Sequence, residues 1–301
     1  GGNVAENAGG VHCLKYGLTV HNVRRVRGVL ISGDVVEFGG DALDGPGYDL
    51  LALINGSEGL LAIITEITVK LTPKPQLAQV ALAAFDDVEK AGAAVGAIIG
   101  GGIVPAGLEM MDQPATRAVE QFVHANYPLD AAAVLLVESD GTTEEVAAEM
   151  AEIKRLLNES GATEIRVSKD EAQRLLYWSG RKAAFPAVGR LSPDYYCIDG
   201  TIPRKALPRV LRAIAAWSAE FGLPCANVFH AGDGNLHPLI LFDANNPGET
   251  EKTIEFGDRI LELCIEVGGT VTGEHGVGVE KLNSMCVQFT PEERAQMFAL
   301  K

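Results

Sequence analysis

Two short, glycine-flanked stretches carry the residue types best able to do chemistry. They are His230-Ala-Gly-Asp-Gly-Asn-Leu-His237 and Gly273-Glu274-His275-Gly276, which together hold three of the six histidines. The residues around the first stretch are apolar and β-prone, and Asp233-Gly234 between them is a strong hairpin signal. In such a hairpin His230 and His237 lie roughly opposite each other, with same-face Cβ atoms about 4.5–5.5 Å apart. Two imidazoles so placed can converge on one small cation. Two neutral imidazoles and one carboxylate suit a divalent ion such as Zn²⁺ or Mn²⁺ and leave coordination positions for a substrate. Glu274, between glycines on a loop after an apolar helix, is the natural third ligand. His-x6-His by itself also fits plain hairpin decoration. What weighs against that is the second Gly-Glu-His-Gly cluster, which no fold needs for packing.

Two further stretches could bind charge. GGNVAENAGG at residues 1–10 offers backbone N–H groups and positive-φ positions suited to a planar or phosphorylated ligand, though it also fits an ordinary surface loop. Arg181, at the end of the helical run Asp170–Phe185, can hold a carboxylate bidentately as lysine cannot; a solvated helix end is the alternative. Glu109, Asp112, Glu138 and Asp140 follow strand ends and read as turn and surface residues. Leu211, Ile214 and Trp217 read as core.

The elements that must position these residues are legible in the pattern. A strand pair, Val26–Ser32 and Val35–Phe38, surrounds a Gly33-Asp34 turn. Tyr48–Ile54 is a short helix, and Leu61–Leu71 a strand. Thr72-Pro-Lys-Pro75 ends that strand, because proline neither donates to a ladder nor continues a helix. The domain boundary is expected there, giving 1–75 and 76–301. Beyond it, strands at Leu77–Phe85, Leu108–Met111, Ala132–Ser139, Thr163–Val167, Tyr195–Ile202, Ala226–His230 and Leu236–Phe242 alternate with helices. The helices are Val88–Ile99, Ala115–Ala125, Glu144–Ser160, Asp170–Phe185, Pro208–Phe221 and Glu249–Val267. The clearest is Glu144–Ser160, with an apolar stripe of Val146, Met150, Ile153 and Leu157, a Thr142/Glu145 capping box and Gly161 at its end. Seven strands with crossing helices predict an α+β sandwich of ferredoxin-like βαβ units.

Composition bounds the rest. The chain of 301 residues is 47% hydrophobic and 22% charged, enough to bury one large or two ordinary cores. A net charge of −15 argues against nucleic acid or an anionic membrane as partner. An anionic substrate must then be captured by a local basic pocket. Five scattered cysteines without a Cys-x-x-Cys pair suit a reducing cytoplasm and argue against an iron–sulfur cluster. No apolar run reaches the ~18 residues of a membrane span. With Gly1 rather than methionine first, and inside a loop motif, the chain reads as a fragment or a processed product.

Taken together, GGNVAENAGGVHCLKYGLT, GSEGLLAIITEITVKLTPKP, RKAAFPAVGRLSPDYYCIDGTIPRKALP, HAGDGNLHPLILFD and GGTVTGEHGVGVEK resemble the FAD-linked 2-hydroxyacid dehydrogenases. This family includes glycolate oxidases and the D-lactate and D-2-hydroxyglutarate dehydrogenases, and the likeness is greatest to the glycolate oxidases. The resemblance implies that residues 1–75 are the second part of a vanillyl-alcohol-oxidase-type FAD-binding domain. Gly2, Asn3, Asn7, Gly9, Gly10, Gly56, Ser57, Gly59 and Ile63 would then line the flavin, in a site this chain holds only in part. It implies that 76–301 is a substrate- and metal-binding cap in which His230, His237 and Glu274 hold a divalent metal. His275 would be the base and Arg181 would grip the substrate carboxylate. The implied reaction is oxidation of a small 2-hydroxy acid to the 2-oxo acid by hydride transfer to FAD. D-2-hydroxyglutarate relatives place a basic side chain near the position of Cys197, so a neutral residue there favours glycolate or D-lactate. Partner subunits that carry electrons onward are implied too, in a cytoplasmic protein that such subunits can bring to the inner membrane. A two-histidine metal hydrolase and a non-catalytic subunit of an oxidase complex are the competing classes. Against the hydrolase, the chain has no His-Glu-x-x-His helix.

Overall fold

The computed structural model describes residues 1–42 and 47–301. These divide into two compact units, Gly1–Lys74 with Thr272–Lys301, and Pro75–Val271. The chain thus leaves the first unit at Pro75, next to the proline-marked boundary. It differs from the expected division in that Thr272–Lys301 groups with the first unit. Long-range hydrogen bonds that no local pattern announces tie part of that segment to the first unit. The Glu58 carboxylate accepts from the amides of Val277 (2.6 Å) and Gly278 (2.8 Å).

In the first unit an antiparallel sheet runs β2–β1–β3, with β1 at Val23–Val29, β2 at Val35–Gly39 and β3 at Ile63–Val69. Gly33, with φ +87°, makes the expected turn between β1 and β2. The core beneath is small: Val4, Val23, Val26, Ile54 and Ala62. The glycine-rich start is not simply a loop. Gly2–Ala5 forms one helical turn before the chain reaches Asn7 and Gly10, both at positive φ.

The second unit is built on one antiparallel sheet, seven-stranded among the described residues. Its strands are β4 (Leu77–Phe85), β5 (Gly107–Asp112), β6 (Ala133–Gly141), β7 (Glu164–Val167), β8 (Asp194–Cys197), β10 (Cys225–Phe229) and β12 (Pro238–Phe242). The order is β7–β4–β6–β5–β10–β12–β8. Its first four strands, with helix Val88–Gly100 between β4 and β5 and helix Thr143–Glu159 between β6 and β7, form the ferredoxin-like half. Strands β10, β12 and β8 widen that sheet past β5. The capping box of Thr142 and Glu145 forms as the sequence predicts, and Val146, Met150, Ile153 and Leu157 are all buried. Val80–Phe85, all of β5 and Ala133–Asp140 are buried residue after residue, so both faces of the central strands are covered.

Three expected elements break in two. Asp170–Phe185 becomes helices Glu171–Lys182 and Ala184–Val188, because Pro186 has no N–H for the Lys182 carbonyl and its ring would strike that carbonyl. Tyr195–Ile202 splits into β8 and β9 (Gly200–Thr201), and Leu236–Phe242 into β11 (Asn235–Leu236) and β12. Here β8 pairs with β12 while β9 pairs with β11, so both chains step out of the main sheet together. His237 is the residue at that step.

Candidate active site

The site in the second unit is organised by a carboxylate. Glu109 lies on β5 between Leu108 and Met110 and is 1% exposed. Strand β10 pairs with β5 through Val228↔Met111 and Phe229↔Met110. One residue further along that register, His230 meets Glu109. Its Nδ1 lies 2.8 and 2.9 Å from the two Glu109 oxygens. An imidazole nitrogen facing a carboxylate this closely carries a proton, so Nδ1 donates to Glu109. From the last turn of helix Glu171–Lys182, the Arg181 guanidinium reaches the same carboxylate, with Nη2 2.7 Å from Oε2. Arg181 is buried, so the solvated helix end is excluded.

Burial pushes the Glu109 carboxyl up, but the charge of Arg181 and then the contact with His230 outweigh it. The group sits below the usual carboxylate range and stays ionised at neutral pH. Glu109 and Arg181 form a buried pair with no net charge.

His230 and His237 come together, though not as direct opposites. The β10–β12 register sets His237 across from Val228, and an isolated bridge sets His230 across from Asn235. The histidines are therefore diagonal neighbours on one face, with ring centroids 5.1 Å apart and planes at 88°. The reason is the length of the turn: four residues, 231–234, separate His230 from Asn235 in place of a two-residue hairpin loop. Gly234 closes it at φ +80°, where an added Cβ would fall 2.1 Å from the Ile202 carbonyl oxygen. The loop is tied down by Gly232 N–H to the Leu108 carbonyl (3.0 Å) and by Arg204 Nη1 to the Gly232 carbonyl (2.9 Å). His237 Nδ1 faces the Ile198 carbonyl at 3.4 Å, which favours the same tautomer as in His230. Cys197 Sγ lies 3.9 Å from that nitrogen. Two buried imidazoles, each with Nδ1 turned to an acceptor, form a donor set that fits a divalent metal.

The four acidic residues read as surface groups are buried. Asp112 accepts from Ala115 N (3.0 Å), Asn227 N (2.9 Å) and Asn227 Nδ2 (2.7 Å), joining β5, β10 and the start of helix Gln113–Val123. Burial still pushes its carboxyl up to about 6, although those bonds pull the other way. Glu138 accepts from Arg174 Nη1 (2.7 Å) and from the Trp178 indole, while Asp140, at the end of β6, is likewise enclosed. A signal for Glu109 was present: apolar residues at both parities of GLEMMD mark a strand buried on both faces, so the acid among them must be buried too. Leu211 and Ile214 are core as expected, and Trp217 is half-buried.

The first unit gathers the other motif residues. Gly56 N–H bonds the Val4 carbonyl (2.9 Å) and Glu58 N–H the Ala5 carbonyl (2.8 Å), knitting residues 1–10 to 55–59. Asn7 Oδ1 accepts from Val20 N (2.9 Å). Gly9 lies against Glu274, and Gly276, at φ +85°, lies against the Glu6 and Glu58 carboxylates, where any Cβ would collide. Burial, and then the charge of Glu58, push the Glu6 carboxyl up. Glu274 Oε1 is 3.6 Å from His275 Nε2. Asn55 Oδ1 and Ser57 Oγ are buried without a hydrogen-bond partner among the described residues, in the loop expected to face a flavin. Such orphaned polar atoms fit a ligand rich in hydrogen-bonding groups. Gly2 and Asn3 lie in the first helical turn, and Ile63 opens β3 with its side chain exposed.

The family model for FAD linked oxidases, C-terminal domain, matches residues 74–301. The chain belongs to the FAD-linked oxidases. It is 60% identical over its whole length to the glycolate oxidase subunit GlcD of Escherichia coli K12, covering 60% of that protein. It is 38% identical to the GlcD of Bacillus subtilis, covering 64% of it, and 31% identical to a D-lactate dehydrogenase of Anaerostipes hadrus, covering 65%. The chain therefore spans about three fifths of the length of these relatives. Among solved structures, p-cresol methylhydroxylase with substrate bound superposes over the whole chain and 65% of its own, with TM-score 0.78 at 15% identity. That likeness shows the fold of this FAD-linked oxidase chain. Among its described residues no helix is long and apolar enough to cross a membrane.

Proposed function

We propose that this chain is part of a flavin-dependent enzyme that oxidises a small 2-hydroxy acid, glycolate or D-lactate, to the 2-oxo acid. Similarity over the whole of this chain to three fifths of a glycolate oxidase subunit supports the reaction class. The observation that carries the site is the buried Arg181–Glu109–His230 network, a cation and an oriented imidazole held away from water. Arg181 is the group to hold the substrate carboxylate. Its Nε has no hydrogen-bond partner among the described residues, and so it has donor capacity beyond Glu109.

His230 and His237, with Glu274 as third ligand, are proposed to hold a divalent ion, Zn²⁺ or Mn²⁺. Such an ion supplies charge that lowers the pKa of the substrate hydroxyl. Gly2, Asn3, Asn7, Gly9, Gly10, Gly56, Ser57, Gly59 and Ile63 are proposed to line FAD, which supplies the hydride acceptor. His275 is proposed to take the hydroxyl proton: a histidine's ordinary pKa of about 6.5 lies near working pH. Cys197, half-buried, stands near where D-2-hydroxyglutarate relatives place a basic side chain, and a residue type that is not basic there favours the monocarboxylates. Relatives of this chain are named as subunits, which supports a partner protein; electrons are proposed to pass to that partner, with the enzyme working in the cytoplasm or at the inner-membrane surface through it.

The test is a panel of 2-hydroxy acids on the full-length parent with an artificial electron acceptor. Glycolate or D-lactate should bleach the flavin and D-2-hydroxyglutarate should not. Failure of every 2-hydroxy acid to reduce the flavin removes the reading. In the same protein His275→Ala should lower turnover by ~10²–10⁴ with metal content unchanged. Loss of metal in that variant would make His275 a support for Glu274 and not the base.

A further inference from the structure

We propose that Glu109 is the positioning residue of this site, one buried carboxylate that fixes both the tautomer of His230 and the placement of Arg181. Both of its oxygens face His230 Nδ1 at 2.8 and 2.9 Å, and one of them also meets Arg181 Nη2 at 2.7 Å. Glu109 and its two partners come from three separated stretches of chain: β5, the residue after β10 and the last turn of helix Glu171–Lys182. The consequence for His230 is chemical. With the proton kept on Nδ1, Nε2 presents a lone pair, the state a ligand to a cation requires. For Arg181 the consequence is electrostatic: an ion pair through Nη2 holds the guanidinium beside Glu109, and Nε, buried without a hydrogen-bond partner among the described residues, remains available to an incoming carboxylate.

An ordinary structural ion pair makes a different demand. It requires only opposite charges in contact, which Asp or a repositioned partner could satisfy. The double role needs both oxygens at this reach. Aspartate, shorter by one methylene on a strand fixed by two neighbours, cannot reach both partners. Glutamine keeps the shape but has a single acceptor oxygen, and its amide N–H groups would face donors. It can serve His230 or Arg181, not both.

The role in metal binding rests on the reading of His230 as a ligand; the tautomer does not. The experiment therefore uses two readouts on the full chain. Two-bond ¹H–¹⁵N correlation spectra of ¹⁵N-histidine protein, with His230 assigned by difference from His230→Asn, report which nitrogen carries the proton. Titration with Zn²⁺ alone reports affinity. The wild type should show His230 protonated on Nδ1. Glu109→Gln should shift it toward the Nε2–H tautomer and weaken Zn²⁺ by about 10–100-fold. Glu109→Asp, which keeps the charge, should also fail to restore wild-type affinity. Wild-type His230 protonated on Nε2, or a Glu109→Gln protein with unchanged tautomer and affinity, overturns the proposal. If Glu109→Gln does not fold, the wild-type tautomer and the Glu109→Asp titration decide it. If the wild type takes up no Zn²⁺ while the tautomer follows Glu109, the metal reading falls and the positioning role stands.

Discussion

The two units hold their functional residues by different physics. In Pro75–Val271 the groups sit within a sheet covered on both faces, and Glu109, Arg181, His230 and His237 are all buried. Their geometry is set by packing and by charges that must be paired. In Gly1–Lys74 with Thr272–Lys301 the sheet has, among the described residues, three strands and a small core, and large apolar side chains such as Ile63 and Leu71 stay exposed. There the motif loops are placed by backbone hydrogen bonds, by glycines at close approaches and by the Glu58 carboxylate. The contrast teaches that a disturbance in the second unit should spread through a cooperative core. One in the first should stay local.

The largest expected effect is on metal content. His230→Ala with His237→Ala should take the chain from near one divalent ion to about none, measured by elemental analysis after dialysis. An unchanged content would remove these histidines from the ligand set. Next is the buried pair. Arg181→Met leaves Glu109 charged, buried and short of its guanidinium, and should cost about 3–5 kcal/mol in denaturant unfolding. Adding Glu109→Leu should recover a large part of that loss; if it does not, the pair is not the coupled unit described. Both changes should be felt throughout Pro75–Val271.

Asp112 sharpens the comparison through pH. Its carboxyl is raised from 3.8 to about 6 in the folded protein. Between these values the unfolded chain has released the proton while the folded chain keeps it, so stability falls as pH rises through the window. The fall is about 3 kcal/mol, at about 1.4 kcal/mol for each unit of pKa difference. Asp112→Asn, which cannot titrate, should lack this component, so wild type should lose most of that amount relative to the variant between pH 4 and pH 7. A constant difference across that range would show that Asp112 does not titrate there. The smallest effect belongs to the first unit. Glu58→Gln should cost about 1.5–3 kcal/mol at most, the range for hydrogen bonds to a charged acceptor. It should speed amide exchange at Val277 and Gly278 and leave β4–β6 protected. Faster exchange across β4–β6 would contradict the local character of this unit.

How much of this was legible follows the range of the forces. The sequence by itself determined the elements that depend on neighbours: the Thr142/Glu145 capping box, the Gly33 turn, the apolar stripe of helix Thr143–Glu159 and most strand spans. It also marked His230, His237, Arg181, Glu274 and His275, because such residues among glycines or at a helix end are conspicuous by type. The tertiary structure alone decided what those residues touch. It set the histidines diagonally, because a four-residue turn shifts the register that a two-residue turn would give. It joined Glu109 to His230 across 121 residues, and Glu58 to Val277 across 219. Hydrophobic periodicity and turn chemistry act over a few residues and so leave a local pattern. Strand pairing and the compensation of buried charge act between segments far apart in the chain, and only the folded protein fixes which acid faces which histidine.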